Sequence, residues 1–232
     1  MTPEVRQRVR KWIIQAAVGW IGYAVVVFLP AGRLDWVWGW ALLLVLAATL
    51  AAHPLLLLRI NPELLAERQK GMWDAGVKTW DKWLTTLAGS LMLAPWIIAG
   101  LDLRWGWSTP LPLAIHLIGL LVHILGYALF MWAMTTNAFF AEGVRIQTER
   151  GHTVATGGPY RLVRHPGYLG AITAQLATPF LLGSLWAIIP AMGMAVIFII
   201  RTYLEDKTLQ AELPGYLLFT QQTRYRLLPY IW

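Results

Sequence analysis

A chain of 232 residues that is 57% hydrophobic and only 13% charged, with a mean hydropathy of +0.53, is too apolar for water to be its only solvent. It has no cysteine, which excludes disulfides, thiolate nucleophiles and Cys-bound zinc or iron–sulfur centres. The net charge of +7 raises nucleic acid as a partner, and the placement of the cations decides against it.

In chain order, apolar runs over about residues 12–30, 36–58, 83–101 and 111–134 each approach the roughly 20 residues that carry a helix across hydrocarbon. The first is too long, and has the wrong exit, for a cleaved signal peptide, so it is read as a span. A fifth run, about 167–204, is twice that length and breaks at Gly183 and Ser184, which predicts a helical hairpin. The expected fold is all-α: a polytopic membrane bundle of about six transmembrane helices with a C-terminal hairpin, a cytoplasmic cap and an amphipathic C-terminal helix. An even number of crossings puts both termini on one side. Every Lys and Arg except Arg33 and Arg104 falls on that side, the ordinary signature of a cytoplasmic face. The expectation is therefore a multi-pass membrane protein with both termini cytoplasmic, and with the lipid bilayer and not nucleic acid as its partner. Fourteen Trp and eight Tyr suit the boundary between hydrocarbon and headgroups.

The chain reads as a single membrane domain, with four spans over 1–134 and a chemical core over 135–232. Two segments between spans are long enough to matter. Residues 59–82 open with Asn61 and Pro62, a helix-start signature, and predict a short amphipathic helix at the interface; a solvated connector anchored by Trp73, Trp80 and Trp83 is the plainer reading. Residues 135–166 show no obvious helix but carry apolar anchors such as Phe139, Phe140, Val144 and Val154. A loop of about 30 residues is functional or disordered, and these anchors argue for a folded cap. Gly157, Gly158 and Pro159 permit a sharp turn before the chain re-enters the membrane. The aromatic stretch 205–232 is expected to pack on that cap.

Charge is costly in lipid, so polar groups at span ends carry the information. One cluster, Tyr160, Arg161, Arg164, His165 and Tyr168, sits at the entrance to the fifth span. A second, Arg201, Tyr203, Glu205 and Asp206, lies at the exit of the sixth. A hairpin brings both to the same membrane face. Arg201 and Glu205 are one helical turn apart, and an ion pair between them is the plainer reading. His53, His116 and His123 lie inside predicted spans. They suit a haem or quinone site, or, more plainly, hydrogen bonds between helices.

The stretch GPYRLVRHPGYLG, followed by RTYLEDKTLQAELPGY and a closing RLLPYIW, resembles the isoprenylcysteine carboxyl methyltransferase family and its bacterial relatives. Pro62-Glu63-Leu64-Leu65 and Trp80-Asp81-Lys82 are similar to the bacterial branch as well. The resemblance implies S-adenosylmethionine as cofactor. It implies that Gln147, His152, Thr153, Val154, Ala155, Tyr160, His165, Pro166, Gly167, Tyr168 and Glu205 line the cofactor pocket, with no metal. It also implies that Arg201 holds the substrate; on residue chemistry Arg164 is a second candidate clamp, or, more plainly, an anchor for headgroups at the span entrance.

The residue chemistry is compatible with those roles. An ammonium and a sulfonium call for a carboxylate and electron-rich rings. A carboxylate acceptor, with an ordinary pKa near 4, is already ionised and calls for an arginine to orient it rather than a base. A soluble cofactor would reach such an interfacial site from the cytoplasm and a lipophilic acceptor from the bilayer. Three other readings stand beside esterification: phospholipid N-methylation with His165 or Glu205 as base, a haem- or quinone-associated protein, and a sterol-type reductase.

Overall fold

The computed structural model describes residues 3–60, 64, 67, 68, 73 and 76–232, with side chains from residue 17 onward. It is helical throughout the described residues apart from turns and loops. The helices are α1 (Pro3–Ala31), α2 (Val37–Ile60), α3 (Thr79–Trp105), α4 (Leu113–Thr136), α5 (Pro166–Leu182), α6 (Ile188–Glu212) and α7 (Tyr216–Gln222). Four of them, α2, α3, α4 and α6, are long and apolar enough to cross a membrane. The chain is a multi-pass helical membrane protein. In α1 the segment whose side chains are described, Ala17–Ala31, is apolar. The interfacial helix expected from Asn61 lies largely outside the described residues, although Leu64, Glu67 and Arg68 are helical.

α5 is the axis around which the site is built. Its 17 residues span about 25 Å at 1.5 Å per residue, somewhat less than the hydrocarbon thickness. A short helix suits this position because α5 is wrapped by protein: Gly167, Gly170, Ala174, Gln175, Ala177 and Thr178 are all buried. It lies directly against α4, backbone to backbone. A Cβ added at Gly170 would sit 2.6 Å from the Gly126 carbonyl oxygen, and one at Gly126 would sit 2.5 Å from the Ala174 nitrogen. Neither neighbour is a side chain that can turn away, so the small residues set the approach of the two helices.

The same seam explains two of the intramembrane histidines. His116 and His123, two turns apart on α4, place Nδ1 at 2.9 Å from the Leu181 and Ala174 carbonyl oxygens of α5. His116 also stacks on Trp38, with ring centroids 4.4 Å apart. Both serve as cross-helix ties, the plainer of the two readings made from the sequence. His53 lies on α2.

The hairpin closes where expected. Gly183 has φ +80, a left-handed conformation that ends α5, and a Cβ there would also meet the His116 ring at 2.6 Å. At that end of the bundle Asp102 of α3 accepts hydrogen bonds from the Ser108 N–H at 2.6 Å and the Ser184 hydroxyl at 2.5 Å, tying two inter-helix loops together. At the opposite end α6 runs on to Glu212, two turns beyond the apolar run, so Glu205 and Asp206 stand on a rigid helix.

Candidate active site

Four helix ends meet beneath the segment 137–165: the start of α3, the end of α4, the start of α5 and the end of α6. Pro166 opens α5 at its first position, where a missing N–H costs nothing, and so points His165 and Tyr168 back toward that meeting place. They and residues of α3, α4 and α6 enclose a cavity of about 510 Å³, lined among others by Tyr160, His165, Tyr168, Arg201 and Glu205. Ligand pockets commonly fall between roughly 300 and 1,000 Å³.

The roof is folded, as its apolar anchors predict. It contains two short 3-10 turns, Thr148–Arg150 and Gly158–Arg161. Tyr160 packs with Ala133, Leu213, Tyr216 and Phe219 in a core that joins roof, α4 and α7. On the other side the roof is fastened to α3: the Val144 N–H donates to Asp81 Oδ2 at 2.6 Å and the Lys78 N–H to the Val144 carbonyl at 3.0 Å.

Two buried carboxylates organise the charges. Asp81, fully buried, receives Arg201 Nε at 2.5 Å and Nη2 at 3.0 Å, and the same Nη2 reaches the Glu142 carbonyl at 2.5 Å. Arg201 therefore pairs with a residue 120 positions away, not with Glu205 one turn along. Asp206, also fully buried, receives Arg164 Nε at 2.8 Å, Arg226 Nε at 2.8 Å, the Tyr216 hydroxyl at 3.0 Å and Gln210 Nε2 at 2.7 Å. His165 Nε2 lies 3.3 Å from the same carboxylate. Beside it the C-terminal tail pairs with the entrance of α5, the Arg164 and His165 N–H groups donating to the Tyr225 and Arg226 carbonyls at 2.9 Å.

Glu205 and Glu142 are the glutamates on the cavity wall, and the hydrogen bond of Glu205 is to the Tyr168 hydroxyl alone among the described residues. Tyr168 stacks on His165, and Arg201 lies 5.2 Å from the Tyr168 ring centre. The Tyr160 hydroxyl accepts from Asn137 Nδ2 at 3.3 Å; burial, with the Glu205 carboxylate nearby adding to it, holds its proton on well above the ordinary phenol range.

Most residues singled out from the sequence converge here. His152, Thr153, Val154, Ala155, Tyr160, His165, Gly167, Tyr168, Arg201 and Glu205 all line the cavity. Gln147 and Pro166 do not. The Gln147 side chain is wholly buried in the roof, donating to the Phe139 carbonyl at 2.9 Å and accepting from Arg150 Nη1 at 2.5 Å, so it braces the turn rather than facing the cavity. Arg164 touches the wall, but its guanidinium also donates to the Thr223 and Arg224 carbonyls at 3.1 and 2.8 Å, besides its two bonds to Asp206. That geometry makes it a tie to the C-terminal tail, not a clamp open to a ligand. None of His53, His116 and His123 lines the cavity. The residues that sequence reasoning passed over are Asp81 and Asp206 as partners of buried guanidiniums. Their one signal was an acidic group at a span end, where an unpaired charge is costly.

His152 gives the roof a pH dependence. Its ring stacks on Phe139 at 4.5 Å and its Nδ1 accepts from the Gln147 N–H at 3.2 Å. Burial first, then the Arg150 and Arg145 cations, push its pKa from 6.5 down to about 4. Below pH 6.5 the unfolded chain takes up a proton that the folded roof refuses. The contribution is thus complete above 6.5 and is lost as the pH falls toward 4. Allowing for the solvent-facing part of the ring, it amounts to about 1–2 kcal/mol, or roughly 3–6 °C in Tm. His152→Phe is expected to remove that part of the acid sensitivity, measured as the difference in melting temperature between pH 7.5 and 4.5.

Residues 117–211, from α4 through most of α6, match the sequence profile of the isoprenylcysteine carboxyl methyltransferase family. Among curated proteins the chain has no significant match.

Proposed function

We propose, from the match of residues 117–211 to the isoprenylcysteine carboxyl methyltransferase family, that the chain is a member of that family and transfers a methyl group from S-adenosylmethionine to the carboxylate of an isoprenylcysteine or similar lipophilic acid. The observation that carries the reading is the shared cavity: His165, Tyr168, Arg201 and Glu205, from both arms of the hairpin, open onto one chamber under a folded roof.

The residues fit the cofactor. Glu205 is a carboxylate with a single described hydrogen bond, suited to an ammonium, and the Tyr160, Tyr168 and His165 rings offer π faces to a sulfonium. When bound, S-adenosylmethionine supplies an electrophilic methyl group. What remains for the protein is to hold the acceptor and exclude water. Arg201, fixed on two edges by Asp81 and Glu142, offers its remaining Nη1 to an acceptor oxygen. Such a guanidinium is rigid and always charged, which suits it to orient a carboxylate. No proton leaves a carboxylate on methylation, so no base is called for, in keeping with a His165 whose Nε2 already faces Asp206 and Tyr216. Met92, Phe130, Met194 and Phe198 give the same cavity apolar walls from α3, α4 and α6, a suitable surface for a lipid tail.

Two measurements test this. Incubation with methyl-labelled S-adenosylmethionine, a farnesylated cysteine analogue and phosphatidylethanolamine should give base-labile label on the acid; base-stable label on the amine would move the reaction to N-methylation. Cofactor affinity should fall at least tenfold in Glu205→Ala and His165→Ala proteins that still fold, the loss of about one charge-assisted contact each. Unchanged affinity in both would refute the assignment.

A further inference from the structure

The guanidiniums along the cavity wall differ in how fully they are neutralised. Arg201 is held by Asp81, Arg164 by Asp206, and Arg145 by Glu67 and Glu149. Arg68, which also lines the cavity, is held loosely. Its Nη1 reaches the Phe140 carbonyl at 3.4 Å and its Nη2 reaches Glu142 Oε1 at 3.4 Å, both at the long limit for such bonds. Its Nε is buried with no hydrogen-bond partner among the described residues. The side chain is only 15% exposed, over the Phe140 ring at 5.8 Å. A buried guanidinium with an unmet donor is unfavourable by itself and is relieved by a carboxylate that takes Nε and Nη2 together.

Arg68 and Arg201 come together at one residue. Arg68 takes the Glu142 carboxylate and Arg201 takes the Glu142 carbonyl. The Glu142 side chain is 41% exposed, so it has room to turn outward. Building on the carboxylate-acceptor reading above, we propose that Arg68 is the second guanidinium of the acceptor site, and that Glu142 occupies it as an internal carboxylate until the acceptor's own carboxylate displaces it. The site selects lipophilic acids over neutral lipids of the same shape, because a neutral group neither displaces Glu142 nor meets Nε.

The cofactor's amino-acid carboxylate has the same chemistry as the acceptor's, so the test separates the two. N-acetyl-S-farnesylcysteine serves as acceptor, its carboxamide as neutral competitor, and S-adenosylmethionine binding is followed by calorimetry. Arg68→Gln should raise KM for the acid at least tenfold while leaving both the cofactor Kd and the carboxamide inhibition constant within about twofold; Arg68→Lys, which keeps the charge without the fork, should fall between. Glu142→Gln should lower KM for the acid severalfold, and this second variant keeps the proposal testable if Arg68→Gln folds poorly. An unchanged KM in Arg68→Gln, or a loss confined to cofactor affinity, overturns the assignment of Arg68 while the methyltransferase reading stands. A wild-type protein that binds cofactor but methylates only the amine overturns both.

Discussion

Replacing Asp81 by alanine is expected to destabilise the protein by about 3–5 kcal/mol and to abolish turnover, because it strands a buried guanidinium. Asp81 is fully buried and contacts Arg201 through both oxygens, while one of those oxygens also accepts the Val144 N–H of the roof. One substitution therefore leaves a charge uncompensated and releases the roof from α3. Arg201→Ala should cost a similar amount for the reciprocal reason. The informative variant is Asp81→Leu with Arg201→Met, which removes both charges at roughly conserved volume. Much of the lost stability should return, as it does when buried pairs give way to apolar packing. Methyl transfer should stay at least about a hundredfold down, since misplacing a reacting group carries a penalty of that order. Melting temperature in detergent and transfer of labelled methyl report the two quantities separately. Recovery of both together would mean that Arg201 only supports the fold.

Asp206→Ala should be comparably severe at the other edge of the cavity. Its carboxylate takes bonds from Arg164, Arg226, Tyr216 and Gln210, and His165 lies beside it. Arg164 is nearly as buried as Asp206 itself, whereas the Arg226 side chain is 26% exposed and can reach water. The expected loss is again about 3–5 kcal/mol, arising chiefly from Arg164. It should be localised: amide exchange ought to quicken over 160–168 and 223–228, the segments that the network joins, before the bundle melts. Asp206→Asn keeps the acceptor oxygen for Tyr216 and should be milder. Protection unchanged in those segments would show that packing of Tyr160 and Phe219, not the charge network, holds the tail.

The helices were legible because hydrocarbon imposes a length and a composition that a single chain reveals locally. Runs ending near residues 58, 101 and 134 correspond to α2, α3 and α4, and Gly183 marks the hairpin turn that its positive φ requires. His165, Tyr168, Arg201 and Glu205 were legible as a site because polar groups gathered at two span ends must either pair or bind something, and a hairpin sets those ends side by side. The roof was legible only as folded, from its apolar anchors.

What the residues alone determined is thus the membrane bundle, the hairpin and the chemistry available at one end of it. Only the tertiary structure decided which charge meets which. Arg201 had a carboxylate one turn away and takes one 120 positions distant; Arg164 was available as a clamp and became a tie to the tail; Gln147 turned inward to brace the roof. Proximity along a helix is a local property that spacing reveals. The partner of a buried charge is settled by which group desolvates with it when helices from distant parts of the chain close together, and no local pattern carries that information.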